Sequence, residues 1–516
     1  MNGAESLLTT LTNNGISVCF ANPGTSEMHF VAALDKVPGM RCVLCLFEGV
    51  ASGAADGYAR MTGKPACTLL HLGPGLGNAL ANIHNAKKGY TPMINIVGEH
   101  ATYHVALDAP LASDIEGIAT PVSHWVHTSS AAADIARDAA EAIRHAAGGR
   151  VATLMLPADV SWNDNPNGAE PAVAIARPRP ISGGKIADAV VRLRNGKRTL
   201  IMIGGQLITA DNGRDLSRIA RRCGADIATD TFPARVARGA GTAVLPKLPY
   251  LAEAAIDYLQ HYQQLILLGV SPPVAFFAYP GVPSTLAHEQ CDTFVLADPD
   301  DDMDRVLADL KVAVGAEDEE PEICARQLPE LGSGQLTADA VARSVARRLP
   351  DNAIVVDEAL TCALPIELHL ATAARHERLS QTGGSIGWGL PAAAGAAVAC
   401  PERKVLALQA DGSAMYTQQS LWTMARENLD VLIVIFNNRR YAILEFEFAR
   451  TGAPGGKPGP KAASAFDIGN PDIDFVALAG SMGVQATRAT TAEAFDEQLQ
   501  TGLAACGPRL IEAIIQ

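Results

Sequence analysis

The chain has no excess of basic charge: 41 Lys and Arg stand against 55 Asp and Glu, a formal net charge of −14. That balance argues against nucleic acid or an anionic membrane as the main partner, and it leaves small anionic substrates, which need only local positive potential. No run of apolar residues is long enough to span a bilayer. The first residues, MNGAESLLTTLTNNG, lack the basic start and apolar stretch of a secretory signal, so a cytoplasmic protein is expected. The ten cysteines offer only one close pair, Cys42-x-x-Cys45. Alternation in RCVLCLF reads as reduced thiols in a strand, not as a zinc or disulfide site. A dinucleotide fingerprint is also missing, because Gly73, Gly75 and Gly77 follow a strand without the GxGxxG spacing or a matching acid.

What is present is a chain of 516 residues, 48% hydrophobic and 19% charged, enough for about three domains with ample cores. Two stretches read as linkers, the Pro/Asn/Gly-rich run 163–180 and the acidic run 317–334. They divide the chain into segments 1–164, 181–316 and 335–516. In each segment strands alternate with helices, which predicts an α/β protein of three doubly wound parallel sheets with sites at the carboxyl ends of the strands.

The stretch 404–444 is read as strand, turn, helix, strand and turn. One apolar strand stops at Ala410-Asp411-Gly412-Ser413, with a helix expected from 416 to 427, and a β-branched strand then stops at Asn437-Asn438. A carboxylate and an amide oxygen at neighbouring strand ends suit a hard divalent cation such as Mg²⁺, and the N–H groups of Gly412, Ser413 and Ala414 suit phosphate. In the first segment three more strand ends present Thr25 with Ser26, then Glu48, then His71, on one edge.

These residues carry a resemblance. The DGS turn followed one helix later by NN resembles the fingerprint of thiamine-diphosphate (ThDP) enzymes such as acetolactate synthase, pyruvate decarboxylase and benzoylformate decarboxylase, with Ala410 where the motif has Gly. NPGTSE, FEGVASGAADGYAR and LHLGPGLGNAL are similar, in order, to the family's pyrimidine-binding domain, which is followed by a middle and a diphosphate-binding domain.

The resemblance implies Mg²⁺ held by Asp411, Asn438 and the main-chain oxygen of Arg440. It implies ThDP contacts from Glu48, Thr361, Ile386, Gly412, Ser413 and Tyr441, with Ile386 as the wedge that bends the cofactor. Glu48 would bond to the pyrimidine and activate the cofactor, and His71 and Thr25 would handle substrate. Ser26, Phe276, Ile443 and Leu444 would line an apolar substrate pocket. Where arylglyoxylate decarboxylases supply a second catalytic His, this chain has Phe276 and Phe277. Nothing in the middle segment demands FAD, so FAD is not expected, and the run 452–461 is expected to close over the site.

The implied activity is decarboxylation of a 2-oxo acid or carboligation, by a homodimer at least, with tetramers common among relatives. Three alternatives stay open. One is a benzoylformate-type decarboxylase. Another is a 2-hydroxyacyl- or oxalyl-CoA lyase using Arg221, Arg222, Arg235 and Arg238, and the third is a paralogue that binds ThDP without turnover.

Overall fold

The computed structural model describes residues 1–176, 178–452 and 455–515. Its strands fall into three sheets. The first holds β1 (Val18–Asn22), β2 (Arg41–Leu44), β3 (Ala66–Leu70), β4 (Met93–Glu99), β5 (Trp125–Thr128) and β6 (Val151–Pro157), all parallel, in the order β2-β1-β3-β4-β6-β5. The second is built from β7 (Thr199–Ile203), β8 (Asp226–Thr229), β10 (Gln264–Leu268) and β11 (Asp292–Ala297), again parallel, in the order β11-β10-β7-β8.

The third sheet holds β12 (Ala353–Glu358), β13 (His376–Ser380), β14 (Val405–Ala410), β15 (Val431–Asn437), β16 (Gln485–Ala489) and β17 (Arg509–Ile514), all parallel, and β9 (Arg235–Arg238) pairs antiparallel on its edge. β3, β4, β6, β7, β10, β12 and β15 are buried along their whole length. Such uninterrupted apolar strands belong in sheets covered by helices on both faces. By contrast β2 is an edge strand, and Cys42 on it is exposed while Cys45 is buried. No helix among the described residues is long and apolar enough to cross a membrane.

Two features fix the segments against each other. The helices Glu48–Thr62 and Gly389–Ala399 meet backbone to backbone: a Cβ on Gly57 would lie 2.1 Å from the Ala392 carbonyl oxygen, and one on Gly395 would lie 1.8 Å from that of Ala54. Beside them Arg60 makes a bidentate pair with Asp56 at 2.8 Å and donates to the Ser380 and Ala234 carbonyls, and Trp388 Nε1 also donates to Asp56. This buried ion pair has its remaining donors bonded, which is the condition under which such a pair is tolerated.

The second feature is β9, whose residues come from the middle of the chain. Arg238 on β9 pairs with Glu367, and Arg235 pairs with Glu377 at 3.0 Å while donating to the carbonyls of Arg60 and Met61. Opposite Arg238 lies His376, whose Nδ1 donates to the Ala374 carbonyl at 2.8 Å. Burial, with Arg238 and Arg378 nearby, pushes His376 down to about 4. The sign follows. Below the ordinary histidine range the unfolded chain takes up a proton that the folded chain refuses until about pH 4. Stability from this group is therefore present above about pH 6.5 and lost on acidification through pH 4, by about 3 kcal/mol. His376→Gln is expected to remove that part of the acid slope, checked by urea unfolding of both proteins at pH 7 and pH 4.

Candidate active site

β14 and β15 run side by side with Ala410 opposite Phe436, so their ends coincide. Asp411 follows the first and is 3% exposed. Its Oδ1 accepts the Gly412 N–H at 2.7 Å, and its Oδ2 accepts those of Asn438 and Arg439 at 2.9 and 2.7 Å. Burial pushes the carboxyl up and these three amides pull it down. Arg439 holds a positive φ of 62°, which lets the chain turn back over Asp411.

The two asparagines part ways here. Asn437 points inward and donates to Glu512 at 2.7 Å, whereas Asn438 keeps its side chain at the strand end, where Oδ1 accepts the Arg440 N–H at 3.1 Å. Asp411, Asn438 and the Arg440 carbonyl form a set of oxygen donors of the hard kind that Mg²⁺ takes. A Cβ on Gly412 would come within 2.3 Å of the Tyr441 ring, so glycine is required for that ring to lie against the turn.

One cavity at these strand ends gathers Thr361, Asp411, Gly412, Ser413, Asn438, Arg440, Tyr441 and Ile443. Thr361 is exposed in the turn Leu360–Cys362 that follows β12. Leu444 is also exposed, one residue further along the helix Ala442–Arg450. Of the run 452–461, Ala453 and Pro454 lie outside the described residues, and its last two residues open the helix Pro460–Phe466.

Ile386 is half-buried in the loop 383–389. That loop is pinned from beneath by Glu358 at the end of β12, whose carboxylate accepts the N–H groups of Gly387 and Gly389 at 2.7 and 2.6 Å and the Gln409 amide at 2.9 Å. Burial pushes Glu358 up against these bonds. From the other side Thr417 donates to the Gly387 carbonyl and Asn85 to that of Ser385, both at 2.8 Å. Thr417 lies where an uninterrupted helix was expected; helix is confined to Asp411–Ala414 and Ser420–Arg426. Phe276 covers Gly384, where a Cβ would lie 2.5 Å from the ring, and stacks edge-on with Phe232 and Phe277.

The first sheet presents a second group of residues. Glu48 opens the helix Glu48–Thr62, and its Oε2 accepts from Asn78 at 3.0 Å. A Cβ on Gly75 would lie 3.0 Å from Oε1, so a small residue keeps that oxygen open. Ser26 and His71 meet, with Oγ 3.3 Å from Nδ1, while Thr25 is exposed at the start of the same turn.

Sequence reasoning passed over Glu27 and Glu358. Glu27 is 1% exposed, accepts the Gly24 N–H at 2.7 Å and bonds to His71 Nδ1 at 2.9 Å. The only signal was an acid at the end of NPGTSE, and nothing local shows that it turns inward. The two groups stay separate within the chain: among the described residues no hydrogen bond or ion pair joins Glu48 to Asp411, and the cavity at Asp411 is lined only by residues from 359 to 443.

Comparison with known proteins identifies the family of the chain. Residues 1–122 match the family model for the thiamine pyrophosphate enzyme N-terminal TPP binding domain, and residues 367–513 match that for the C-terminal TPP binding domain. A Mycobacterium tuberculosis protein provisionally named acetolactate synthase large subunit IlvX is 49% identical, with 100% of this chain and 99% of that one covered. Benzoylformate decarboxylase of Pseudomonas aeruginosa is 28% identical over 98% of this chain and 97% of its own length. The solved 4-hydroxybenzoylformate decarboxylase of Rhodococcus jostii superimposes with a TM-score of 0.84 at 25% identity, covering 100% of this chain and 99% of that one. The chain therefore belongs to the thiamine-diphosphate-dependent enzymes, of the acetolactate synthase and benzoylformate decarboxylase type.

Proposed function

We propose that the protein catalyses Mg²⁺-dependent, non-oxidative decarboxylation of a 2-oxo acid, with carboligation of the product as a second outcome. The observation that carries this reading is the pair of strand-end groups, an oxygen site at Asp411 and Asn438 and an open carboxyl oxygen on Glu48. The residues fit the cofactor. Asp411, Asn438 and the Arg440 carbonyl would hold Mg²⁺; Thr361, Gly412, Ser413 and Tyr441 would hold the diphosphate. Ile386 would lie beneath the cofactor, and Glu48 would bond to its pyrimidine. When bound, ThDP supplies the carbon nucleophile and the electron sink that let CO₂ leave.

The chain's own residues do the rest. Glu48 Oε holds a proton at the pyrimidine end, His71 Nε2 moves one at the substrate, and Ser26 and Thr25 orient the substrate carboxylate. Phe276, Ile443 and Leu444 favour an apolar tail and exclude water from it. With the Glu48 and Asp411 groups apart in one chain, the complete site forms between two copies, so a homodimer is the least functional unit and a homotetramer a natural extension. The segments 1–164, 181–316 and 335–516 serve as pyrimidine, middle and diphosphate domains. Arg235 and Arg238 are committed to ion pairs with Glu377 and Glu367, which weighs against a coenzyme A tail at that place.

Product analysis on a panel of 2-oxo acids, with ThDP and Mg²⁺ and without FAD, tests the reading. Apolar-tailed acids should yield CO₂ with an aldehyde or a hydroxyketone, faster than acids with charged tails. CO₂ from none of them, with cleavage of an acyl-CoA instead, would overturn it.

A further inference from the structure

His71 is gripped more tightly than a catalytic histidine at a strand end needs to be. Its Nδ1 faces two atoms, Glu27 Oε2 at 2.9 Å and Ser26 Oγ at 3.3 Å. Glu27 Oε2 already accepts the Gly24 N–H at 2.7 Å, so as a carboxylate it can only accept from His71 as well. This places the ring proton on Nδ1 and leaves Nε2 as the nitrogen available to a substrate.

Glycine at two positions lets the backbone approach both groups closely. A Cβ on Gly24 would lie 2.2 Å from His71 Nδ1, and a Cβ on Gly98 would lie 1.6 Å from Glu27 Oε1. Glu27 is 1% exposed, and its Oε1 is buried with no hydrogen-bond partner among the described residues. Leaving a carboxylate oxygen without a partner in the interior is costly, and the burial of Glu27 needs a compensating role. The His71 side chain, 23% exposed, is the one member of the pair that reaches solvent.

We propose that Glu27 is the positioning residue of His71: a buried carboxylate that fixes the Nδ1–H tautomer and aims Nε2 into the site, so that the pair acts as one unit. The proposal rests on the reading of His71 as the proton-transfer residue.

Two measurements test it, one of which needs no substrate. The first is the rate at which diethyl pyrocarbonate acylates His71 in the wild-type protein, followed by peptide mass mapping. Glu27→Gln should slow this several-fold, because the amide can turn its NH₂ toward Nδ1 and then no longer keeps the lone pair on Nε2, and Glu27→Asp should recover part of it. The second is steady-state kinetics of Glu27→Gln, His71→Ala and the double variant on an active 2-oxo acid. We expect kcat of Glu27→Gln to fall roughly 10²-fold, at the lower end for a positioned acid–base group, with KM and ThDP affinity little changed. The double variant should be no slower than His71→Ala, since residues that act as a unit are not additive. Losses that multiply in the double variant, an unchanged acylation rate, or equal losses in Glu27→Gln and Glu27→Asp would overturn the proposal. If no 2-oxo acid is turned over, the functional reading fails, and the acylation rates still decide for or against Glu27.

Discussion

Glu48→Gln is expected to lower kcat by roughly 10²- to 10⁴-fold while ThDP binds nearly as before. The substitution keeps length and shape. A glutamine carbonyl oxygen can still accept from Asn78, which Glu48 Oε2 holds at 3.0 Å, and the helix Glu48–Thr62 keeps its first residue. What is lost, on the proposed reading, is the group that holds and releases a proton at the pyrimidine. Asn78, the one side chain hydrogen-bonded to that carboxyl among the described residues, is an amide and cannot supply the proton. Steady-state rates and a ThDP titration on the same preparation separate the two effects. A variant with unchanged kcat would show that Glu48 is not the activating acid.

Asp411→Ala should act on the other end. If Asp411 holds the metal as proposed, cofactor affinity should fall more than about 100-fold, since a direct metal ligand matters more than the outer partners whose loss already costs 10- to 100-fold. The alanine also leaves the N–H groups of Gly412 and Asn438 without their acceptor, at about 1–3 kcal/mol for each buried orphan, while that of Arg439 keeps Asn437 Oδ1 at 3.2 Å. Loss of turnover should therefore come with loss of ThDP binding and a lower melting temperature, unlike Glu48→Gln. Calorimetric titration with ThDP at saturating Mg²⁺ checks the first effect, and a melting curve checks the second.

The parts legible in the sequence were those set by local chemistry. The strands β3, β7 and β10 coincide with their apolar runs, because a buried parallel strand is uninterrupted and its end is marked by Gly or His. The turns after β14 and β15 were legible for the same reason, and so were Asp411 and Asn438. What escaped depends on distant partners. β9 is four residues, Arg-Val-Ala-Arg, with two charges; only its pairing with β13 and the acids Glu367 and Glu377 makes it a strand of the third sheet. The helix expected from 416 begins at Ser420, because Thr417 bonds to Gly387 thirty residues earlier. Glu27 and Glu358 resemble surface acids in sequence; their burial rests on backbone N–H groups that the fold delivers. Cys42 went the other way, out to the surface, because β2 is an edge.

The two variants together give the most direct test of the account, which holds that Glu48 of one chain and Asp411 of another serve a single cofactor. Each variant alone should be inactive at its own end. Co-expressed with separate tags and purified through both, they form a hybrid in which one of the two sites carries neither substitution. The account predicts that this hybrid regains about half of wild-type CO₂ release, as two-fold symmetry requires. A hybrid as inactive as its parents would contradict it, and would place both groups of residues in the same chain's site.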